Sequence, residues 1–310
     1  MRKPNVQGAQ RHLIGRVQGA ADGPTLVAIG GVHGNEPAGV EVLETLLAQL
    51  HELPATALRG RFMALRGNVA ALERGVRFID EDMNRIWAAD RIQAGAGPAS
   101  TEAREAVQLR GIAEAFLGAP WQHRHGPRYV LDLHSFSAPG DMFGIARPSP
   151  FNLDLFGRLG IPLVVGIEHT LAGTAFQFFE SMVDGSFVIE GGPHAQAITR
   201  ARLHRAVVGM LECLGLLDAS TAASLQSTPP ARHEPALPGR VRPIHRHPVG
   251  PDDRFVMRPG FGNLQPVRKG EWLADDRNGP IRSPEDGYIL MPLYQAQGSE
   301  GFFIAVAEGP

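Results

Sequence analysis

Short apolar runs alternate with helical patterns through the first two thirds of the chain, and this alternation leaves few folds open. The runs are TLVAIGG (25–31), RFMALRG (61–67), RYVLDLH (128–134), PLVVGIE (162–168) and SFVIEGG (186–192). Each is too short for a buried helix, and most stop at glycine, so they predict buried strands. Between them, 37–50 carries Val40, Leu43, Leu46, Leu47 and Leu50 at helical spacing, with Pro37 suited to a first turn. Residues 100–117 predict a second helix with Ser100 or Thr101 as its cap and Glu102 near its positive end. A third helical pattern spans 194–217. Strands separated by helices predict an α/β fold: a mixed, largely parallel sheet with helices on both faces. Ligands in such sheets gather beyond the carboxyl ends of the strands. His33, His134 and Glu190 all stand at or just past a predicted strand end.

Beyond residue 217 the texture changes. Residues 218–248 are proline-rich with little helical period and predict a linker. Residues 249–310 are turn-rich with short β-like runs and predict a small C-terminal β domain. The 310 residues carry a formal net charge of -2 and a pI near 6.6, without the clustered basic residues of a nucleic-acid footprint. No apolar stretch approaches the roughly 18 residues of a membrane span. The opening MRKPNVQGAQRHLIG has no apolar signal region, and a single cysteine, Cys213, allows no internal disulfide. A cytoplasmic protein is expected, with no nucleic-acid or membrane partner; an oligomer is compatible with the sequence.

Three segments carry chemistry: GGVHGNEPAG with His33 and Glu36, RGVRFIDEDMNR with Arg77, Asp82, Asn84 and Arg85, and LDLHS with His134. An imidazole and a carboxylate three residues apart can converge on one ion, and a second imidazole completes the three-ligand set of a catalytic zinc. The glycines around His33 allow the backbone to bend tightly there. Taken singly, each histidine reads by default as an ordinary buried one. Arg77, Asp82 and Arg85 can also be read as an ion-pair network, and Glu190 as the cap of a neighbouring element.

In their order along the chain, GGVHGNEPAG, RGVRFIDEDMNR, DLHS and FVIEGG make residues 20–215 resemble the succinylglutamate desuccinylase/aspartoacylase family of zinc amidohydrolases. The resemblance implies a zinc carboxypeptidase-like fold, with residues 1–217 as the catalytic domain. It implies one Zn2+ per chain held by His33, Glu36 and His134. Arg77 would polarise the scissile carbonyl, Asn84 and Arg85 would bind a substrate carboxylate, and Glu190 would be the general base. Asp82 is expected to back a ligating histidine. The implied reaction is hydrolysis of the amide in an N-acylated amino acid or related small carboxylate. Aspartoacylase-type sequences carry an additional Arg ten residues before the general base, but Glu180 stands there in this chain, beside Phe176, Phe178 and Phe179. An acid at that position repels a second carboxylate, so a mono-carboxylate is expected rather than N-acetylaspartate.

Two alternatives stay beside this reading: a metallocarboxypeptidase removing a C-terminal residue, and a non-catalytic ligand-binding protein on the same fold. Ser135 and Ser186 lack the G-x-S-x-G elbow of serine hydrolases. The pairs His123/His125 and His245/His247 lie in polar Arg- and Pro-rich stretches and read as solvated loop residues.

Overall fold

A computed structural model of the chain describes residues 10–88, 100–118, 126–194, 196–226 and 237–309. The chain forms two compact units. The first comprises Met1–His134, Leu171–Ile189 and Arg200–Pro229; the second comprises Ser135–Thr170, Glu190–Thr199 and Pro230–Pro310. The division therefore crosses the boundary expected at 217. Among the described residues, no helix is long and apolar enough to cross a membrane.

The first unit is built on β1 (Leu13–Gln18), β2 (Ala21–Gly30), β3 (Arg59–Arg66), β4 (Arg128–Phe136) and β7 (Gly185–Pro193), in the order β1-β3-β2-β4-β7. β4 and β7 continue at their C-terminal ends into the second unit. β2 pairs in parallel with both β3 and β4. In that register Gly30 lies opposite Leu133 and Arg66, so the residues following β2 and β3 share one edge with the end of β4. β1, which the sequence reading did not find, is antiparallel to β3. It is half exposed and polar, so it lacks the apolar run that marks the central strands.

The helices among the described residues include α1 (Ala38–Glu52), α2 (Val69–Arg74), α3 (Thr101–Leu117), α4 (Pro150–Leu159), α5 (Ala175–Glu180), α6 (Ala197–Cys213) and α7 (Ala219–Leu225), of which α4 belongs to the second unit. Pro37 is the N-cap of α1, and Ser100 caps α3 by accepting from the Ala103 N–H at 3.1 Å. The first unit's core joins Val27, Ile29, Met63 and Leu65 of the strands to Ala106, Leu109 and Ala113 of α3. Trp87 and Phe179 complete it, their rings 5.4 Å apart. Phe176 and Phe179 are buried. Phe178 is partly buried and, with Trp87, Arg110 and Gln177, lines a cavity of about 400 Å³.

The second unit orders β5 (Phe143–Ile145), β6 (Leu163–Val164), β8 (Arg240–Pro248), β14 (Glu300–Ala307), β13 (Gly287–Leu290) and β10 (Gln265–Val267) side by side. β5-β6-β8 is parallel, and β8-β14-β13-β10 is antiparallel. A separate sheet joins β12 (Gly279–Arg282), β11 (Trp272–Asp276) and β9 (Val256–Met257). The expected strand over 162–168 shrinks to two residues, because Gly166 at φ 80° turns the chain into a 3-10 turn.

The stretch expected to be linker holds α7 and the nine-residue β8, while 227–236 lie outside the described residues. The prolines concealed the strand. Pro243 sits where the β8–β14 register shifts, a place where a missing N–H is tolerated. His245 and His247 are accordingly sheet residues, not solvated loop residues. The His247 ring stacks on Phe302 with centroids 5.0 Å apart, and burial pushes both imidazoles below their ordinary pKa. His123 and His125 lie outside the described residues.

Candidate metal centre and active site

The parallel register of β2 and β4 carries His33 and His134 to the same sheet edge from positions a hundred residues apart. The loop after β2 must turn sharply to bring Glu36 back towards His33. Gly31 adopts φ 73°, and a Cβ on Gly34 would stand 2.1 Å from the Ala71 carbonyl carbon, so glycine is required where this loop meets α2. The Gly34 N–H donates to the Arg77 carbonyl at 3.1 Å, tying the His33 loop to the Arg77 segment.

His33, Glu36 and His134 are 3%, 2% and 4% exposed. One ligand atom from each lies within 4.8 Å of the others, a spacing that suits a shared metal ion. The Nδ1 atoms of His33 and His134 face the two Glu36 carboxylate oxygens at 2.9 and 3.2 Å. Each ring is backed by a second carboxylate. His33 Nε2–H donates to Asp82 Oδ1 at 3.0 Å, and His134 Nε2–H donates to Asp132 Oδ2 at 2.9 Å. A carboxylate on one ring nitrogen fixes the tautomer and leaves the other nitrogen's lone pair for a metal. Two neutral imidazoles and a carboxylate are the donor set of a catalytic zinc site, so the residues present fit the ion.

Electrostatics follows from this packing. Burial pushes the Glu36 carboxyl up, but the His33 and His134 imidazoles outweigh it and hold the group well below the usual range. Burial acts likewise on Asp82, and its contact with His33 and the charges of Arg77 and Arg85 hold it well below. Burial pushes His134 down, yet Asp132 and then Glu36 raise it well above an ordinary imidazole. This concentration of negative charge around two rings attracts a cation.

The Arg77 guanidinium donates to Asp82 Oδ2 at 3.2 and 3.4 Å and to Glu36 Oε1 at 3.4 Å, so it stands beside the triad. Asp82 also caps a 3-10 turn, Met83–Arg85, by accepting from the Asn84 N–H at 2.8 Å. Asn84 Oδ1 in turn accepts from the Ala175 N–H at 2.9 Å, which leaves its amide NH2 edge as its donor side. Arg85 Nη1 donates to the Asn84 carbonyl at 2.7 Å. The first unit thus assembles His33, Glu36, His134, Arg77, Asp82, Asn84 and Arg85. Glu190 stands in β7, 8% exposed, and belongs to the second unit. Glu180 ends α5 and is half-buried.

Asp132 was missed by sequence reasoning, although the signal is in D-L-H: alternate residues of a strand share a face. Another histidine network also escaped. In the second unit, Ser135 Oγ donates to His194 Nδ1 at 2.8 Å, and His194 Nε2–H donates to Gln295 Oε1 at 3.0 Å. The partner orienting His194 is a neutral amide, unlike the carboxylate of a serine-hydrolase triad.

Residues 22–217 match the family model for the succinylglutamate desuccinylase/aspartoacylase catalytic domain. A succinylglutamate desuccinylase of Burkholderia pseudomallei (strain 1710b) is 30% identical over 161 residues, which is 50% of this chain and 45% of that protein. The chain thus spans about half the length of the curated relatives it matches. Among solved structures, the product-bound ectoine utilization protein EutE (DoeB) from Ruegeria pomeroyi has a TM-score of 0.65 at 19% identity, covering 94% of this chain and 87% of that one. Murine aminoacylase 3 has a TM-score of 0.62 at 20% identity, covering 92% and 95%. These likenesses show the α/β fold. With four motifs in order, a converged His-Glu-His group and a match over most of the chain, the protein belongs to the succinylglutamate desuccinylase/aspartoacylase family.

Proposed function

We propose that this protein is a zinc-dependent amidohydrolase that removes the acyl group from an N-acylated amino acid or related small carboxylate. One observation carries the reading: three buried ligand atoms within 4.8 Å, with both imidazoles backed by carboxylates. His33, Glu36 and His134 would hold the ion. Bound there, zinc would supply Lewis acidity and make water nucleophilic near neutral pH.

The chain's residues divide the remaining work. Glu190, after the apolar run SFVI, takes the attacking water's proton and returns it to the leaving amine. Arg77 donates to the oxygen on which negative charge develops. Arg85, with the Asn84 amide, holds the substrate carboxylate, for which a planar guanidinium fork is suited. Glu180 disfavours a second carboxylate, so the preferred substrate carries one.

The test is zinc content of the purified full chain, followed by a screen of N-acyl amino acids for amine release. One zinc per chain is expected, and His134→Ala should lose it at ordinary chelator levels. Stoichiometric zinc in His134→Ala would overturn the ligand assignment, and wild-type protein with zinc but no amine release would overturn the deacylase reading.

A further inference from the structure

Glu102 is fully buried at the start of α3, and no step proposed above uses it. Its carboxylate gathers four donors. Oε1 accepts from the Asn68 side-chain amide at 3.0 Å and from the Ile79 N–H at 2.8 Å. Oε2 accepts from the Asp80 and Glu81 N–H groups at 3.1 and 3.3 Å. Three successive backbone N–H groups therefore close on one anion, the arrangement of an anion-binding nest. The stitching is reciprocal, since Asp80 Oδ2 accepts from the Thr101 N–H at 2.7 Å and Glu81 Oε1 from Ser100 Oγ at 2.5 Å.

The segment so clamped leads directly into Asp82, whose two oxygens hold His33 Nε2 and Arg77. Asn68, held by the same carboxylate, caps α2, against which the His33 loop makes its closest approach. Only a carboxylate has enough lone pairs for four donors; a glutamine would satisfy two and set its NH2 against the others. Burying a charge is costly unless hydrogen bonds offset it, and here the bonds converge on the loop that carries the site.

We propose that Glu102 is the positioning residue of this site: it fixes the 79–81 backbone, so that Asp82 orients His33 for the metal and holds Arg77 in place. The inference rests on the zinc reading above. Glu105, one turn further along α3, supplies the contrast. It is also buried, and it accepts from the Val69 N–H at 3.0 Å and pairs with His12 at 3.3 Å, without touching the 79–82 segment.

The experiment measures Zn2+ affinity of the full chain by competition with a chromophoric chelator, with Tm recorded before zinc is added. Glu102→Gln should weaken zinc binding about 10–100-fold, the usual cost of losing an outer partner of a ligand. Glu105→Gln should lower Tm yet hold zinc within about threefold of wild type. Asp82→Asn should weaken zinc similarly. The double variant Glu102→Gln/Asp82→Asn should be little worse than the weaker single variant, because both changes act through one contact. Glu102→Asp, which keeps the charge and retracts it by one methylene, should weaken zinc as well and serves if the glutamine variant does not fold. Wild-type affinity in a folded Glu102 variant, fully multiplicative losses in the double variant, or an equal loss in Glu105→Gln would each overturn the proposal. A wild type that binds no zinc overturns the metal reading and this inference with it. A wild type that binds zinc beside an equally tight Glu102→Gln overturns the inference alone.

Discussion

His134 in the first unit and His194 in the second both have their two ring nitrogens occupied, but by opposite chemistry. His134 lies between the Glu36 and Asp132 carboxylates, whereas His194 lies between a serine hydroxyl and a glutamine amide. Anionic partners make an imidazole a stronger electron-pair donor and raise the charge available to a cation. Neutral partners satisfy the ring and fix its tautomer without creating a cation site. The same contrast extends outward. Asp82 and Arg77, both largely buried, pair beside His33, and Glu102 and Glu105 are buried in the same unit. The second unit's C-terminal core is apolar, built on Leu273, Ile289, Phe302 and Ile304. Buried charge is expensive, so the carboxylates buried against His33 and His134 mark a candidate functional site.

Glu190 tests this contrast most severely, because it is a buried acid of the second unit. Glu190→Gln should keep stoichiometric zinc while kcat falls about 10²–10⁴-fold. Retention of more than roughly a third of kcat would exclude it as the general base of the mechanism. Next in size is Arg77→Ala, for which steady-state kinetics should show kcat reduced about 10²–10³-fold with a smaller rise in KM. A change confined to KM would make Arg77 a ground-state or purely structural partner of Asp82 and Glu36. The smallest effects separate the two histidines themselves. Asp132→Asn should weaken zinc about 10–100-fold. Gln295→Ala should leave zinc affinity unchanged and cost about 1 kcal/mol of stability, read from chemical denaturation. If both variants lose zinc alike, the division between an anionic metal-binding network and a neutral one fails.

Much of the site was legible because its residues lie in short local patterns. G-G-V-H-G-N-E places an imidazole and a carboxylate within one loop, D-L-H sets a ring at a strand end, and the run ending in Asn84 and Arg85 follows Asp82 by two and three residues. The central strands and the capped helix at Ser100 were equally plain, since apolar period and cap chemistry are local properties. What escaped was either polar or interrupted. β1 is a half-exposed edge, and β8 hides behind prolines that fall near a register shift. Asp132 needed only the strand's alternation to be applied once more.

The α/β alternation, the identity of the candidate ligands and the family rest on residue type and spacing, and so can be read from the amino-acid sequence. Which groups meet depends on the folded chain. The register of β2 against β4 sets His33 beside His134. The 79–81 backbone closes on Glu102, Asp82 meets His33, and His194 finds a neutral amide in Gln295. These contacts join residues tens of positions apart through backbone and side-chain hydrogen bonds whose partners no local pattern specifies, and they exist only after the strands and loops have closed.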